Sequence, residues 1–298
     1  MLFMRFLARW PLGLLHAIGA ALGWLVWALS PTYRRRLAAN ARIAGLQPGD
    51  VRGAVAAAGR MVAEVPWVWL RTPGTPLGSY LQWADTAWMD AQVARARPIL
   101  LLTPHMGSFE VCARAWAERY GKTNPLTALY RPAKQAWLRT FQETARRAPG
   151  LHTAPASVSG VRLMLRALKR GEVVGLLPDQ VPPEGQGVWA PFFGLPAYTM
   201  TLAARLVQQT GALPIVLRGE RLPHGRGWRI HATPLVAELP AASSDAALAA
   251  GAAIINQTME HTILTDPSQY LWAYNRYKQP RAVEPASAVS AAGEDTPR

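Results

Sequence analysis

The run Thr103-Pro104-His105-Met106-Gly107-Ser108-Phe109-Glu110 sets a base and a carboxylate five residues apart, with an apolar stretch before it and a helical one after it. On one continuous helix the two side chains would point roughly 140° apart, at about 100° per residue. They can meet only if His105 stands in the loop before the helix. Pro104 and Gly107 permit that break, Gly by tolerating positive φ. A carboxylate accepting from one imidazole nitrogen fixes the tautomer and leaves the other nitrogen as a base. Such a His can take the proton of an alcohol that attacks an acyl carbonyl. On spacing alone, a His that merely caps a helix fits equally well.

Three further blocks bear on that choice. Tyr130-Arg131-Pro132-Ala133-Lys134 follows a second apolar run and brings two cations, a planar fork and a flexible ammonium, suited to phosphate or an anionic headgroup. Gly175-Leu176-Leu177-Pro178-Asp179-Gln180 ends a third run in a polar turn. Pro191-Phe192-Phe193-Gly194-Leu195-Pro196-Ala197-Tyr198-Thr199 reads as an apolar, rigid loop leading into a helix. Together they predict a converging polar site with an apolar loop nearby for a lipid chain. The single cysteine, Cys112, excludes an intramolecular disulfide and a Cys-based metal cluster. With no His beside it in sequence, it reads as a buried thiol and not a nucleophile.

The elements that must hold these groups follow from the hydrophobic rhythm. Short buried-strand runs stand at Pro98–Thr103, Leu126–Tyr130, Val173–Leu177 and Leu213–Leu217, with Trp228–Ala232 as a further strand. Helical stretches fall between them, near Phe109–Tyr120, Ala133–Arg147, Ser159–Arg170 and Thr199–Thr210, and a long one spans Ser243–Thr265. Alternation of this kind predicts an α/β fold with a mostly parallel central sheet flanked by helices. Residues 33–70 carry two Ala-rich amphipathic segments split at Gly45–Gly49. Upstream, an apolar run from Trp10 to Leu29, broken only by His16, has about the length of a membrane-crossing helix. Ser30-Pro31-Thr32-Tyr33-Arg34-Arg35-Arg36 then reads as a helix stop and basic anchor, with no signal-peptide cleavage pattern, which places the rest of the chain on the cytoplasmic side. Three parts result: a membrane anchor over 1–30, a domain over 31–280, and a disordered Ala/Pro/Ser/Glu-rich tail over 281–298.

Composition agrees. In 298 residues, 32 Lys+Arg against 18 Asp+Glu give a net charge of +14, so an anionic partner is expected. Of the 12 Trp, seven lie before residue 90, where indole rings suit a membrane–water interface. The basic residues are not interleaved with aromatics in a nucleic-acid-reading pattern, so no nucleic-acid partner is expected. His16, His152, His224, His231 and His261 lack paired ligand spacing, and Gly185-Gln186-Gly187 is too short for a nucleotide loop; no metal or cofactor is expected.

The ordered set H-x4-E, YRPAK, G-x-LPDQ, PFFG-x-PAYT and QYLW-x-YNRYK, from about Arg34 to Lys278, resembles the bacterial lipid A late acyltransferases (lauroyl/myristoyl transferases). The resemblance implies a glycerolipid-acyltransferase-like α/β fold with an N-terminal membrane helix, at the bacterial inner membrane. It implies acyl carrier protein as acyl donor and a Kdo-bearing, bis-phosphorylated lipid A precursor as acceptor. It makes His105 the base and Glu110 its partner, the pair acting by direct transfer without a covalent intermediate. Arg131, Lys134, Arg162, Asp179 and Gln180 become substrate-binding residues, Lys169 a further anion contact, and Arg139, Arg146 and Arg147 part of a carrier-docking face. Glycerolipid acyltransferases usually carry Asp at the second position of the pair, so Glu110 fits the lipid A branch better. Two other readings remain open at this point: acylation of another membrane lipid, such as a lysophospholipid, ornithine lipid or glycolipid, and an inactive membrane-tethered lipid-binding module.

Overall fold

The structure, a computed structural model, describes residues 2–70, 75–131, 135, 148–242 and 244–282. Among them seven strands form one sheet: β1 (Leu81–Trp83), β2 (Ile99–Leu102), β3 (Leu126–Tyr130), β4 (Leu151–Pro155), β5 (Val173–Leu176), β8 (Leu213–Arg221) and β9 (Trp228–Pro234). Their spatial order is β1-β9-β8-β2-β5-β3-β4. Every neighbouring pair is parallel except β8–β9, which is antiparallel. The mostly parallel α/β sheet expected from the alternation of elements is present. All four residues of β2 are buried, because this central strand is covered on both faces.

The helices are α1 (Leu2–Leu7), α2 (Leu12–Leu29), α3 (Pro31–Ile43), α4 (Pro48–Trp69), α5 (Thr86–Ala94), α6 (Phe109–Arg119), α7 (Val158–Lys169), α8 (Leu202–Thr210) and α9 (Asp245–Leu264). Local chemistry sets several of their starts. Ser30, Asp85, Ser157 and Ser244 each accept a main-chain N–H of the first turn, and Pro31 and Pro48 occupy the first helical position. The stretch expected to be helical at Ala133–Arg147, apart from residue 135, and most of the expected tail, from residue 283, lie outside the described residues.

The Pro191–Thr199 stretch, expected as a loop, is an antiparallel hairpin of β6 (Gly187–Phe192) and β7 (Leu195–Met200). Prolines argue against strands because they cannot donate to a ladder. Here Pro191 and Pro196 face each other in register in a two-stranded ribbon. Phe193 and Gly194, at φ 48° and 76°, make the two-residue turn with both central residues left-handed, which matches the twist of a hairpin.

Helix α2 is apolar and long enough to cross a membrane, yet it packs along α4. The approach is close because Gly meets Gly: a Cβ on Gly59 would stand 1.9 Å from the Gly19 carbonyl oxygen. Leu12 and Leu15 join the core formed by Trp67, Trp116 and Trp228. The other face of α2 exposes Leu14, Ile18, Leu22, Leu25, Val26 and Leu29.

Candidate active site

Strands β2 and β5 are in-register parallel neighbours, with Leu102 opposite Leu176. His105 and Asp179 each lie three residues beyond that pair. Register therefore brings them together at the carboxyl edge of the sheet, where α/β folds collect their sites. The imidazole Nδ1 lies 2.7 Å from Asp179 Oδ1, and the His105 main-chain N–H donates to Asp179 Oδ2 at 2.8 Å. Asp179 is buried at 1% exposure. Burial alone would raise its carboxyl pKa, but the facing His105 and the two hydrogen bonds outweigh this and hold it below the usual carboxylate value. The ionised carboxylate can only accept, so Nδ1 carries the proton and Nε2 is the basic nitrogen. No hydrogen bond engages Nε2 among the described residues.

The loop after His105 is pinned from three sides. Gly107 sits at φ 56°, its N–H donates to the Gln269 carbonyl at 2.9 Å, and a Cβ there would stand 2.0 Å from the Gly219 carbonyl oxygen. Ser108 N–H donates to that same Gly219 oxygen, and Leu271 N–H donates to the His105 carbonyl. Helix α6 then begins at Phe109. This is the loop–helix break that Pro104 and Gly107 were expected to allow.

Glu110, read from sequence as the partner of His105, lies in the first turn of α6, where its Oε2 accepts from Trp69 Nε1 at 2.9 Å. Position Nδ1 of His105 is occupied by Asp179, which the sequence reading placed among substrate contacts. Asp179 is instead enclosed beneath the imidazole and faces the buried Tyr270.

His105 and Glu110 both line a cavity of about 690 Å³. Its walls are mainly apolar, with Phe109, Ala113, Leu129, Leu151, Val161 and Leu177 among them. Arg131, Arg162 and Gln180 line the same cavity, and the sequence reading missed Arg205, also on the wall. Arg205 stands on α8, outside each of the sequence blocks. Lys134 lies outside the described residues, as do Arg139, Arg146 and Arg147. Lys169, at the far end of α7 from Arg162, does not line the cavity. Cys112 is buried and its thiol is pushed up to about 12 by burial, in keeping with an inert side chain. No group of His, Cys, Asp and Glu among the described residues is arranged to hold a metal ion.

The hairpin is fixed to this site by Arg276, from the YNRYK block. Its buried guanidinium donates to the Tyr198 carbonyl (2.8 Å), Thr199 Oγ1 (2.7 Å) and Asn256 Oδ1 (3.2 Å), and lies 5.0 Å from the centre of the Phe192 ring.

Comparison with known proteins adds the following. Residues 1–279 match the family described as bacterial lipid A biosynthesis acyltransferase. The chain is 28% identical over 228 residues to the lipid A biosynthesis lauroyltransferase of Escherichia coli (strain K12), an alignment covering 74% of this chain and 68% of that protein. It is 27% identical over 217 residues to the lipid A biosynthesis palmitoleoyltransferase of the same organism, covering 71% and 65%, and matches the lipid A biosynthesis acyltransferase of Shigella flexneri with the same figures.

Proposed function

Because the chain belongs to the bacterial lipid A biosynthesis acyltransferase family, we propose that it moves a fatty acyl chain from acyl carrier protein to a hydroxyl of a lipid A precursor. The observation that carries this reading is the oriented imidazole of His105, its Nδ1 committed to a buried carboxylate, on the wall of an apolar cavity lined by three arginines.

In this mechanism Nε2 of His105 takes the proton of the acceptor's acyl-chain 3-hydroxyl. The alkoxide attacks the donor thioester, the tetrahedral intermediate collapses, and the carrier thiolate leaves with the proton returned from His105. Asp179 holds the tautomer and stabilises the imidazolium. Glu110, on the wall of the same cavity, keeps its place in the proposed catalytic pair. Arg131, Arg162 and Lys134 bind acceptor phosphates and Kdo carboxylates, with Arg205 a further cation and Gln180 a neutral contact. The apolar wall takes the acyl chain. The exposed face of α2 and the cluster Arg34, Arg35 and Arg36 seat the enzyme at the bacterial inner membrane, with the catalytic domain on the cytoplasmic side.

The test compares kcat/KM for one acyl chain on acyl carrier protein and on coenzyme A, at low and moderate salt. The carrier-linked donor is expected to be preferred, with the steeper loss on raising salt, since a small acidic protein offers a larger charged footprint. Equal use with equal salt sensitivity refutes the carrier-protein assignment.

A further inference from the structure

A second cavity, of about 470 Å³, lies between the start of α2, the middle of α4 and the turns at Pro223–Gly225 and Pro267–Gln269. It shares no lining residue with the cavity at His105. We propose that this second cavity binds a phosphate group.

Two arginines carry the inference. Arg221 is almost fully enclosed, its side chain 4% exposed, and it lines the cavity. Its Nε and Nη2 donate to Glu64, at 2.8 and 2.5 Å, and Nη2 also donates to the Gly107 carbonyl at 2.8 Å. The third nitrogen, Nη1, is buried and has no hydrogen-bond partner. Buried charged donors are rarely left so, and a bound oxyanion would supply the missing acceptor. Arg60, half-buried on α4, lines the same cavity and makes no hydrogen bond among the described residues. Burial and the neighbouring charge of Arg221 hold its guanidinium below the ordinary arginine value.

The acids nearby do not neutralise both. Glu64 is shared by Arg221, His16 and the Trp228 indole. Glu220, itself on the cavity wall, is bonded by His231 at 2.7 Å and stands 4.0 Å from the Arg229 guanidinium, so that three arginines face two acids. One cation of this group is therefore in surplus. His224, exposed in the Pro223–Gly225 turn, also lines the cavity. The whole guanidinium fork of Arg60 and the remaining Nη1 of Arg221 suit an oxyanion that accepts several hydrogen bonds at once, as phosphate does.

The outer face of α2 beside the cavity is apolar and exposed, so the phosphate has two sources: the headgroup of a membrane lipid or a soluble phosphate. Either would be read by the guanidinium that also holds Gly107, two residues past His105.

The full chain, purified in an uncharged, phosphate-free detergent, is followed by its thermal midpoint in two arms. One arm titrates inorganic phosphate against chloride at matched ionic strength. The other dopes the micelles with phosphatidylglycerol, against diacylglycerol as control. A rise of about 3 °C or more is expected in at least one arm. It should be lost in Arg60→Ala and in Arg60→Gln and kept in Arg162→Ala. A rise with inorganic phosphate identifies a site open to the soluble ion, and a rise with the lipid alone identifies the headgroup. No rise in either arm overturns the proposal, as does a rise that the Arg60 variants keep or that Arg162→Ala also loses.

Discussion

Asp179→Asn is the substitution that separates two ways of orienting His105. The carboxylate accepts twice, from Nδ1–H at 2.7 Å and from the His105 main-chain N–H at 2.8 Å. Asn has the same shape but a single carbonyl. If that oxygen stays on the main-chain N–H, the amide N–H faces Nδ1 and drives the imidazole to the Nε2–H tautomer, which has no base to offer the acceptor. A hydrogen bond to a charged group contributes about 1.5–3 kcal/mol. Losing about 3 kcal/mol of it corresponds to roughly 150-fold in rate. Inverting the tautomer of a serine hydrolase by the same Asp-to-Asn change costs about 10⁴. Turnover is therefore expected to fall by about 10²–10⁴ with KM within a few-fold, since Asp179 does not line the cavity. The assay is thiol release from the acyl donor at saturating acceptor, with the thermal midpoint measured alongside to show that the variant is folded. Glu110→Gln, in parallel, should lower turnover by a smaller factor. A folded Asp179→Asn within about threefold of the parent, beside a Glu110→Gln loss of about 10³ or more, would refute the reasoning and return the orienting role to Glu110.

Two other outcomes are expected. Burial would raise the Glu64 carboxyl, but the Arg221 guanidinium and the hydrogen bonds from Arg221 and His16 hold it at about 2 against an ordinary 4.5. On acidification the unfolded chain takes up this proton first, so the stabilisation is complete above about pH 4.5 and is lost as pH falls toward 2. Glu64→Gln should flatten that part of the stability profile, and parallel thermal-midpoint curves for parent and variant between pH 6 and 3 would exclude it. Removing residues 1–30 should destabilise the domain as well as weaken membrane attachment. Leu12 and Leu15 alone contribute about 3–6 kcal/mol of burial, and the deletion uncovers the Glu64–Arg221 pair. A truncated chain with an unchanged thermal midpoint would show instead that α2 is a separable anchor.

The sequence by itself left the short β1, α5 and β4 illegible, but it determined strands β2, β3, β5, β8 and β9, helices α6 to α9, the strand-to-helix loop holding His105, and the blocks that carry Arg131 and Gln180. These follow from local causes: apolar runs of strand length, helical periodicity, caps, and the permissive backbone of Gly107. Hydrophobic run length also marked out α2, and its Gly19-x3-Gly23 spacing the close approach of another helix, though not that α4 is that helix. Proline content hid the hairpin, because Pro191 and Pro196 are compatible with a ribbon whose strands are both edges, and that exception is visible only once the strands are paired.

Tertiary structure alone decided which carboxylate meets Nδ1 of His105. Glu110 is five residues away and Asp179 is 74, yet the second is the neighbour, because β2 and β5 lie side by side in register. Strand order is a property of how the whole sheet assembles, and no local periodicity encodes it. The same holds for the group formed by His16, Glu64, Arg221 and Trp228, contributed by α2, α4, β8 and β9. Each is unremarkable in its own stretch of chain. They find one another because a charge enclosed by packing must have a partner in the interior, and only the folded arrangement of those four elements determines which partners are within reach.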